Sequence, residues 1–327
     1  MKILITGGTG FIGAHLAKFC SDKGNTVHIC DNNFRGKKDD FILNILSNDK
    51  VEYLKKDLTC LEEVKSLDTD YDIVFHFAAI NGTENFYKIP YSVFEVSLKS
   101  TMYLLEHLGN KCKIVFSSSS EVYAGTIKGN QSLVPTAEEV VCTIDDVMNE
   151  RFSYGGGKLA CEIMLNSYDK QYSIDYQIIR YHNIYGPRMG TKHVMPQFIK
   201  RAKDGESPFK IFGSDQTRAF CYIDDAVEAT YNLALENTKG LFHIGNDQEE
   251  VEIFEVAKIV TEYYSKHNEY DIKEAPNGSV PRRCPNIEKL KNTIDYNPKI
   301  SLHEGLTKTI KWYDKWYQTN IDLDGAL

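Results

Sequence analysis

Four side chains that can exchange protons fall in two short segments of this sequence. Tyr154 and Lys158 are four residues apart, so on a helix both lie on one face. A nearby ammonium lowers the pKa of a phenol, which makes Tyr154 a candidate general base toward a hydroxyl group. In the second segment, residues 113–123, an apolar strand ends in four serines and Glu121. One of these serines can share the reacting hydroxyl's proton with Tyr154.

A glycine-rich turn near the start of the chain has the spacing needed to hold phosphates. The apolar run Ile3–Ile5 predicts a buried parallel strand, and a helical pattern begins at residue 10. Between them, Gly7 permits a tight turn, Gly10 lets backbone approach a pyrophosphate, and Gly13 lets the helix pack on the strand. The helix N-terminus adds free N–H groups and a positive dipole end. The segment therefore predicts a dinucleotide-binding site.

Asp31 indicates which dinucleotide is expected. It ends the apolar run 26–30, where a second strand would present a carboxylate to a ribose 2′-hydroxyl. That carboxylate would repel a 2′-phosphate, so the sequence favours NAD over NADP. Arg35 lies only four residues further on, and it leaves NADP as the alternative.

Alternating strands and helices must position these residues. Apolar strand–helix alternation is typical of an α/β fold with a Rossmann-type, doubly wound parallel sheet. Strands are predicted at 2–6, 26–30, 51–54, 72–78, 112–117 and 174–180. Helices are predicted at 10–23, 37–47, 60–66, 92–109, 154–171, 224–236, 251–267 and 302–317.

Two domains are expected, with the boundary near residue 180. Residues 1–180 form the dinucleotide-binding domain that carries Tyr154 and Lys158. Beyond it, proline and glycine break the chain into loops that usually carry substrate contacts, so 181–327 is predicted as a smaller α/β substrate lobe. Some of its segments return to the main sheet, and 321–327 is predicted as a tail.

Composition excludes several classes of partner. The net charge of -8 provides no basic field for nucleic acid or an anionic membrane surface. Transmembrane or signal segments are not expected. The eight cysteines are scattered without a C-x-x-C pair, which favours free thiols in a reducing cytoplasm over disulfides or a metal site.

Six motifs together give the chain a resemblance to a known family. They are the 7–13 loop, the Ser119 loop, Tyr154 with Lys158, Arg180–Arg188, Gln216–Asp225 and Arg282–Ile287. With them the chain resembles, essentially from end to end, extended short-chain dehydrogenase/reductases that act as nucleotide-sugar epimerases, dehydratases and decarboxylases.

The resemblance implies a function for most of these residues. Ser119, Tyr154 and Lys158 would activate a sugar hydroxyl beside bound NAD, with Glu121 as a further catalytic residue. The Lys158 ammonium and the cationic nicotinamide would together lower the Tyr154 pKa toward neutrality. Ser120, Asn183, Arg218 and Arg283 would hold a nucleoside-diphosphate sugar, since diphosphates require cationic, forked donors. The residues expected to bind the cofactor are Gly7, Gly10, Phe11, Ile12, Gly13, Asp31, Asn32, Asp57, Leu58, Ala78, Ala79, Tyr154 and Lys158.

Three outcomes of sugar oxidation at carbon 4 remain open. The family's 4,6-dehydratases carry an Asp-Glu pair where this chain has Ser120-Glu121, which weakens dehydration. The Ser-Glu pair fits UDP-glucuronate-type decarboxylases, in which Glu121 could transfer a proton at a carbon next to the ketone. The polar segment Ile80–Tyr87 departs from such decarboxylases and indicates an unusual sugar. Epimerisation is therefore the leading prediction, decarboxylation the second.

Other expectations concern the catalytic helix and the assembly. Gly155–Gly157 is unusual inside a helix and suggests close approach of cofactor or substrate, or a looser Tyr154. A non-catalytic NAD sensor is the non-enzymatic alternative, but such proteins typically lack the counterpart of Tyr154 or Lys158. The family also implies a homodimer through the helices at 92–109 and 154–171.

Overall fold

The central element of the molecule is a parallel sheet. The computed structural model describes residues 1–265, 269–275 and 279–319. Its strands are β1 Lys2–Thr6, β2 Thr26–Asp31, β3 Val51–Lys55, β4 Ile73–His76, β5 Lys113–Ser119, β6 Tyr176–Tyr181, β7 Ile184–Tyr185, β8 Phe209–Phe212, β9 Thr217–Ala219, β10 Cys221–Tyr222, β11 Gly240–Ile244, β12 Glu250–Glu252, β13 Tyr270–Lys273 and β14 Arg282–Arg283.

Helices cover the sheet and build the second lobe. They are α1 Phe11–Asp22, α2 Asp40–Leu46, α3 Leu61–Lys65, α4 Thr83–Lys88, α5 Pro90–Leu108, α6 Ala124–Gly129, α7 Phe152–Tyr172, α8 Val194–Lys203, α9 Ile223–Leu235, α10 Ile253–Tyr263, α11 Glu288–Ile294 and α12 Leu302–Thr319, with short 3-10 helices at 120–123 and 131–133. No helix among these described residues is both long and apolar enough to cross a membrane.

The order of the strands confirms the predicted doubly wound sheet. Within the described residues seven strands pair in the order β11-β6-β5-β4-β1-β2-β3, and every neighbouring pair is parallel. Ile3, Leu4 and Ile5 are fully buried, as expected of a strand covered on both faces. The strand order reverses after β3: β2 and β3 lie on one side of β1, and β4 is added on its other side. Ligands bind at such a reversal, outside the carboxyl ends of the strands.

The second lobe is not separate from the sheet. β11 pairs in parallel with β6, and α9 packs against α1. The remaining strands form small sheets of their own, in which β9 lies between β12 and β14. Residues from 181 onward therefore both extend the central sheet and build the lobe above its carboxyl edge.

The predicted element ends differ from the observed ones where side chains cap a helix. The strands predicted before residue 181 are β1–β6, with ends shifted by at most two residues. The helix predicted at 37–47 begins only at Asp40, because the Asp39 carboxylate accepts the Ile42 N–H at 3.1 Å and caps it. Residues 266–267 of the helix predicted at 251–267, and the tail at 321–327, lie outside the described residues.

The glycine run of α7 lets the helix pack closely against other parts of the protein. A Cβ at Gly155 would lie 2.8 Å from the backbone oxygen of Glu121. A Cβ at Gly157 would contact Phe94 and Ser97 of α5, at 3.4 and 3.5 Å. The first helical turn of α7 is thus pressed against the end of β5 and against α5. Packing within the chain therefore accounts for Gly155, whereas a Cβ at Gly157 would make ordinary contacts. The sequence interpretation relates the glycine run to cofactor or substrate, or to a looser Tyr154.

We predict opposite effects of alanine at two adjacent glycines of this helix. A Cβ at Gly156 has ordinary contacts, 3.4 Å from the flexible end of Ile144, so Gly156→Ala should raise the free energy of unfolding by about 1 kcal/mol. Gly155→Ala should lower it by about 1–3 kcal/mol, because the Glu121 backbone must move. Denaturant unfolding of both variants measures the difference; equal effects would contradict the packing role of Gly155.

Candidate active site

The carboxyl ends of the strands open into a cleft of about 1100 Å³ between the sheet and the second lobe. Its lining includes every residue that the sequence analysis assigned to catalysis, cofactor or substrate. These are Gly7, Gly10, Phe11, Ile12, Gly13, Asp31, Asn32, Asp57, Leu58, Ala78, Ala79, Ser119, Ser120, Glu121, Tyr154, Lys158, Asn183, Arg218 and Arg283. Residues up to 276 positions apart in sequence therefore face one cavity.

The glycine loop leaves room for a phosphate group. Gly7 has φ +64°, and a Cβ there would lie 2.8 Å from the backbone of Ala78. A Cβ at Gly13 would lie 2.5 Å from the Gly7 oxygen, so with any side chain at this position α1 could not pack this closely against the loop. The Asp31 carboxylate accepts the N–H groups of Thr9, at 3.1 Å, and Asn33, at 2.8 Å. The loop and the acid thus form one rigid unit that fits a dinucleotide.

Asp57 lines the cleft and is held in a fixed turn. Its carboxylate accepts the N–H and hydroxyl of Thr59 at 2.9 and 2.7 Å, and the Asn32 amide at 3.3 Å. Burial alone would raise the pKa of Asp57, but these hydrogen bonds outweigh burial and lower it. Leu58 beside it is buried and supplies an apolar surface.

Tyr154 and Lys158 lie on the face of α7 that borders β5. Lys158 is buried and donates to the Ser117 carbonyl at 2.6 Å, and burial lowers its pKa to about 8. Phe86 of α4 stacks on the Tyr154 ring with centroids 4.8 Å apart and planes at 11°. This stack, with the adjoining helix packing, fixes the phenol toward the cleft.

The protein groups alone hold Tyr154 in its protonated form. Burial and the Glu121 charge raise its pKa to about 12, although a hydrogen bond with Ser119 and the Arg35 charge act in the opposite direction. Lys158 is 5.9 Å from the ring centroid and its ammonium is engaged by Ser117. Lys158 therefore does not by itself bring the phenol toward neutrality; the sequence interpretation combines it with the nicotinamide cation. Bound NAD would add the positive charge of its nicotinamide ring.

Glu121 is held between two arginines. Its oxygens accept Arg283 Nη1 at 2.6 Å and Arg151 Nη2 at 2.9 Å. Burial alone would raise the pKa of Glu121, but the charges and hydrogen bonds of Arg283 and Arg151 lower it to about 2. Glu121 is therefore a fixed carboxylate near Tyr154. A proton-transfer role, as considered from the sequence, requires these ion pairs to loosen.

Two arginines of the sequence motifs lie opposite each other on neighbouring strands of the second lobe. β9 and β14 run parallel and pair Arg218 with Arg283. Arg218 donates to the carbonyls of Thr217 and Pro281, at 2.7 and 3.2 Å, and burial together with Arg283 lowers its pKa. Asn183 has φ +45° and donates its side-chain amide to the Ala219 carbonyl at 3.1 Å. The lobe thus presents a cationic wall to the cleft.

A buried polar network lies behind the catalytic strand. Ser118 donates to Glu162 Oε1 at 2.5 Å, and Arg180 Nε donates to the same oxygen at 2.9 Å. Arg180 also contacts the Tyr123 hydroxyl, which lies 2.8 Å from His243 Nε2. The network ties α7, β5, β6 and β11 together, so it fixes the position of Ser119 relative to Tyr154.

Three residues of the site were missed by sequence reasoning. Arg151 precedes Tyr154 by three residues, a helical spacing that could have placed it on the same face. Phe86 lies in α4, a helix that the polar segment 80–87 did not reveal. Arg35 was considered only for NADP, but it lines the cleft near Tyr154.

Comparison with known proteins agrees with this geometry. The model of the NAD dependent epimerase/dehydratase family matches residues 3–245. The chain belongs to this family. It is therefore an NAD-dependent enzyme with a Rossmann-type fold, and NAD is its cofactor.

Individual relatives include both decarboxylases and epimerases. The chain is 33% identical to the UDP-N-acetyl-alpha-D-glucosaminuronate decarboxylase of Bacillus cytotoxicus, over 95% of this chain and 97% of the relative. The solved UDP-glucose 4-epimerase of Thermotoga maritima is 28% identical, with a TM-score of 0.84 over 97% of this chain and 99% of that one. The UDP-glucuronic acid 4-epimerase of Bacillus cereus, solved with UDP-glucuronic acid and NAD, is 26% identical, with a TM-score of 0.82 over 97% and 100%.

We predict that Tyr154→Phe abolishes turnover but leaves NAD binding intact. Loss of the phenolic hydroxyl removes the group that takes up the sugar proton, which should lower kcat by about a hundredfold or more. Turnover and calorimetric NAD binding measure the two effects. Tyr172→Phe, an exposed tyrosine of the same helix, is the control. A variant with unchanged turnover would exclude Tyr154 from the chemistry, as expected of a non-catalytic NAD sensor.

Proposed function

We propose that this enzyme oxidises a nucleotide-linked uronic acid at carbon 4 and decarboxylates it. The proposal is carried by the charges at the sugar end of the cleft, around Ser119, Tyr154 and Glu121. Among the described residues there, four arginines, Arg35, Arg151, Arg218 and Arg283, face one carboxylate, Glu121. The arginines therefore exceed the carboxylate by three positive charges, and Lys158 nearby adds to them. A diphosphate supplies about two negative charges, so the surplus favours a further anionic group on the substrate.

A uronic acid provides that group and suits the chemistry of the Ser119–Tyr154 pair. We place the C4 hydroxyl against Ser119 and Tyr154. Tyr154 would first release its own proton to solvent when the nicotinamide cation is bound, and the phenolate then takes up the hydroxyl proton, with Ser119 hydrogen-bonded to the same oxygen. NAD, held by the glycine loop and Asp31, would supply the hydride acceptor. The resulting ketone is β to the carboxylate, so loss of carbon dioxide delivers its electron pair into the ketone. Ser119 and Tyr154 are the donors in reach of that oxygen.

The remaining steps restore the sugar hydroxyl. Carbon 5 takes one proton from solvent, after which the hydride returns to carbon 4 and Tyr154 returns the proton to the oxygen. Glu121 stays ionised in this scheme, since its pKa of about 2 follows from Arg283 and Arg151. Its role is to hold these two arginines in the cleft. The 33% identity to a uronate decarboxylase over nearly the whole chain supports the same outcome.

Epimerisation at carbon 4 of an acidic sugar is the second candidate. The specific observation in its favour is that ion-paired Glu121 cannot readily donate a proton to the carbon that loses carbon dioxide. The likeness to a solved UDP-glucuronic acid 4-epimerase supports this outcome as well. Both candidates share the C4 oxidation and the acidic substrate.

Mass spectrometry of the products distinguishes the candidates. We predict that UDP-linked glucuronic or N-acetylglucosaminuronic acid, incubated in D2O with enzyme and NAD, loses carbon dioxide and gains one deuterium at carbon 5. UDP-, GDP-, CDP- and dTDP-linked neutral sugars should remain unchanged, and Tyr154→Phe is the inactive control. An isomer of unchanged mass would favour epimerisation, and loss of water would overturn both candidates.

We also propose that the enzyme is a cytoplasmic homodimer. All eight cysteines are free, as expected in a reducing compartment. Helices α5 and α7 pack side by side and leave apolar side chains on their outer faces: Tyr91, Met102 and Ile163 are 74%, 39% and 61% exposed. An apolar face of this kind suits contact with the same face of a second copy.

We predict that a charge on this face prevents dimerisation. Ile163→Glu should shift the mass measured by light scattering from dimer to monomer, since a carboxylate would be desolvated at the interface. Ile272→Glu, at a 51% exposed position of β13, should leave the dimer intact. If Ile163→Glu stays dimeric, the contact lies elsewhere.

A further inference from the structure

Arg35 extends from the loop after β2 toward the catalytic end of the cleft. A Cβ at Gly82 would lie 3.8 Å from Arg35 Nη2, and a Cβ at Gly190 would lie 3.7 Å from it. Gly82 follows β4 in the dinucleotide-binding part, and Gly190 follows β7 in the second lobe. The guanidinium therefore lies between two segments that meet over the cleft, where larger side chains would crowd it.

No protein group neutralises this guanidinium. Across residues 1–265, 269–275 and 279–319, Arg35 has neither a hydrogen bond nor an ion pair. The carboxylates of the surrounding segments are engaged elsewhere: Asp39 pairs with Arg188, and Glu84 pairs with Lys88 and Lys192. A half-buried guanidinium whose five donors make no bond to the protein is available to an anionic ligand in the cleft.

The neighbours of Arg35 place this ligand near the reacting end of the cleft. Gly82 directly precedes α4, whose Phe86 stacks on the Tyr154 ring, and His193 lines the cleft close to Gly190. Asp31 instead accepts the Thr9 N–H of the glycine loop. An adenosine 2′-phosphate would lie beside Asp31, whereas the Arg35 guanidinium lies beside Gly82 and Gly190.

We propose that Arg35 binds the carboxylate of the sugar and thereby determines specificity for acidic substrates. The proposal rests on the proposed function, because it assigns the third surplus positive charge to the uronic acid group. Arg283 and Arg151 are occupied by Glu121, and Arg218 lies against Thr217 and Pro281 in the second lobe. Arg35 alone of the four retains its whole planar fork, which matches the two oxygens of a carboxylate.

The test compares an acidic and a neutral ligand of equal nucleotide. Calorimetry on NAD-loaded protein, in a Tyr154→Phe background that prevents turnover, gives dissociation constants for UDP-glucuronic acid and UDP-glucose. Arg35→Gln should weaken UDP-glucuronic acid by about tenfold or more and leave UDP-glucose unchanged. Arg35→Lys should retain part of the preference. Lys38→Gln is the control, since that lysine of the same loop lies over the Tyr53 ring.

The outcomes separate this proposal from the proposed function. If the Tyr154→Phe protein prefers UDP-glucuronic acid and Arg35→Gln does not reduce the preference, the role of Arg35 is wrong and the acidic substrate stands. If Arg35→Gln instead weakens NAD binding, the anion is a phosphate of the dinucleotide, and the proposal is overturned. If Arg35-containing protein shows no preference for the acidic sugar, both proposals fail.

Discussion

The site depends on the close contact between the first turn of α7 and the end of β5. Gly155 allows this contact, because any side chain there would collide with the Glu121 backbone. At this distance the Lys158 ammonium reaches the Ser117 carbonyl, and Glu162 of the same helix reaches Ser118. Ser117 and Ser118 are thereby fixed relative to one helix, and this arrangement brings Ser119 beside Tyr154.

Burial raises the pKa of both acids of this contact, but the charges beside them differ. At Tyr154 burial prevails and the Glu121 charge adds to it, so the phenol stays protonated without further positive charge. At Glu121 two guanidinium groups prevail over burial, so the carboxylate stays ionised. The protein thus keeps Tyr154 protonated, although Tyr154 has to be ionised to act as a base, and keeps its neighbour Glu121 ionised. This asymmetry makes proton uptake by Tyr154 depend on the bound nicotinamide cation.

Much of the fold follows directly from the sequence. Strands β1, β2, β4, β5 and β6 are short, mostly buried apolar runs, so their positions can be predicted from the apolar pattern alone. The glycine loop is readable because its spacing follows from backbone geometry. The roles of Tyr154 and Arg283 as partners in one cleft came from the family resemblance, since no local pattern links residues so far apart.

What the sequence did not reveal depends on tertiary contacts. Phe86 lies in a polar segment whose helical character arises from packing on α5 and Tyr154. Arg283 was expected to serve only the diphosphate, and its ion pair with Glu121 depends on β9 and β14 pairing in parallel. Arg35 follows Asp31 closely in sequence, yet the loop directs its guanidinium toward Tyr154. Long side chains on loops can reach either end of a cleft, and only the fold determines which.

We propose that the Ser119–Tyr154 site oxidises the sugar reversibly at carbon 4. Its most direct test is the fate of deuterium placed at carbon 4 of UDP-glucuronic acid during one turnover by the NAD-loaded enzyme. Reversible oxidation at carbon 4 predicts transient absorbance of reduced nicotinamide and a product that retains the deuterium at carbon 4. Product that forms without reduced nicotinamide, or with the deuterium lost to solvent, would contradict it.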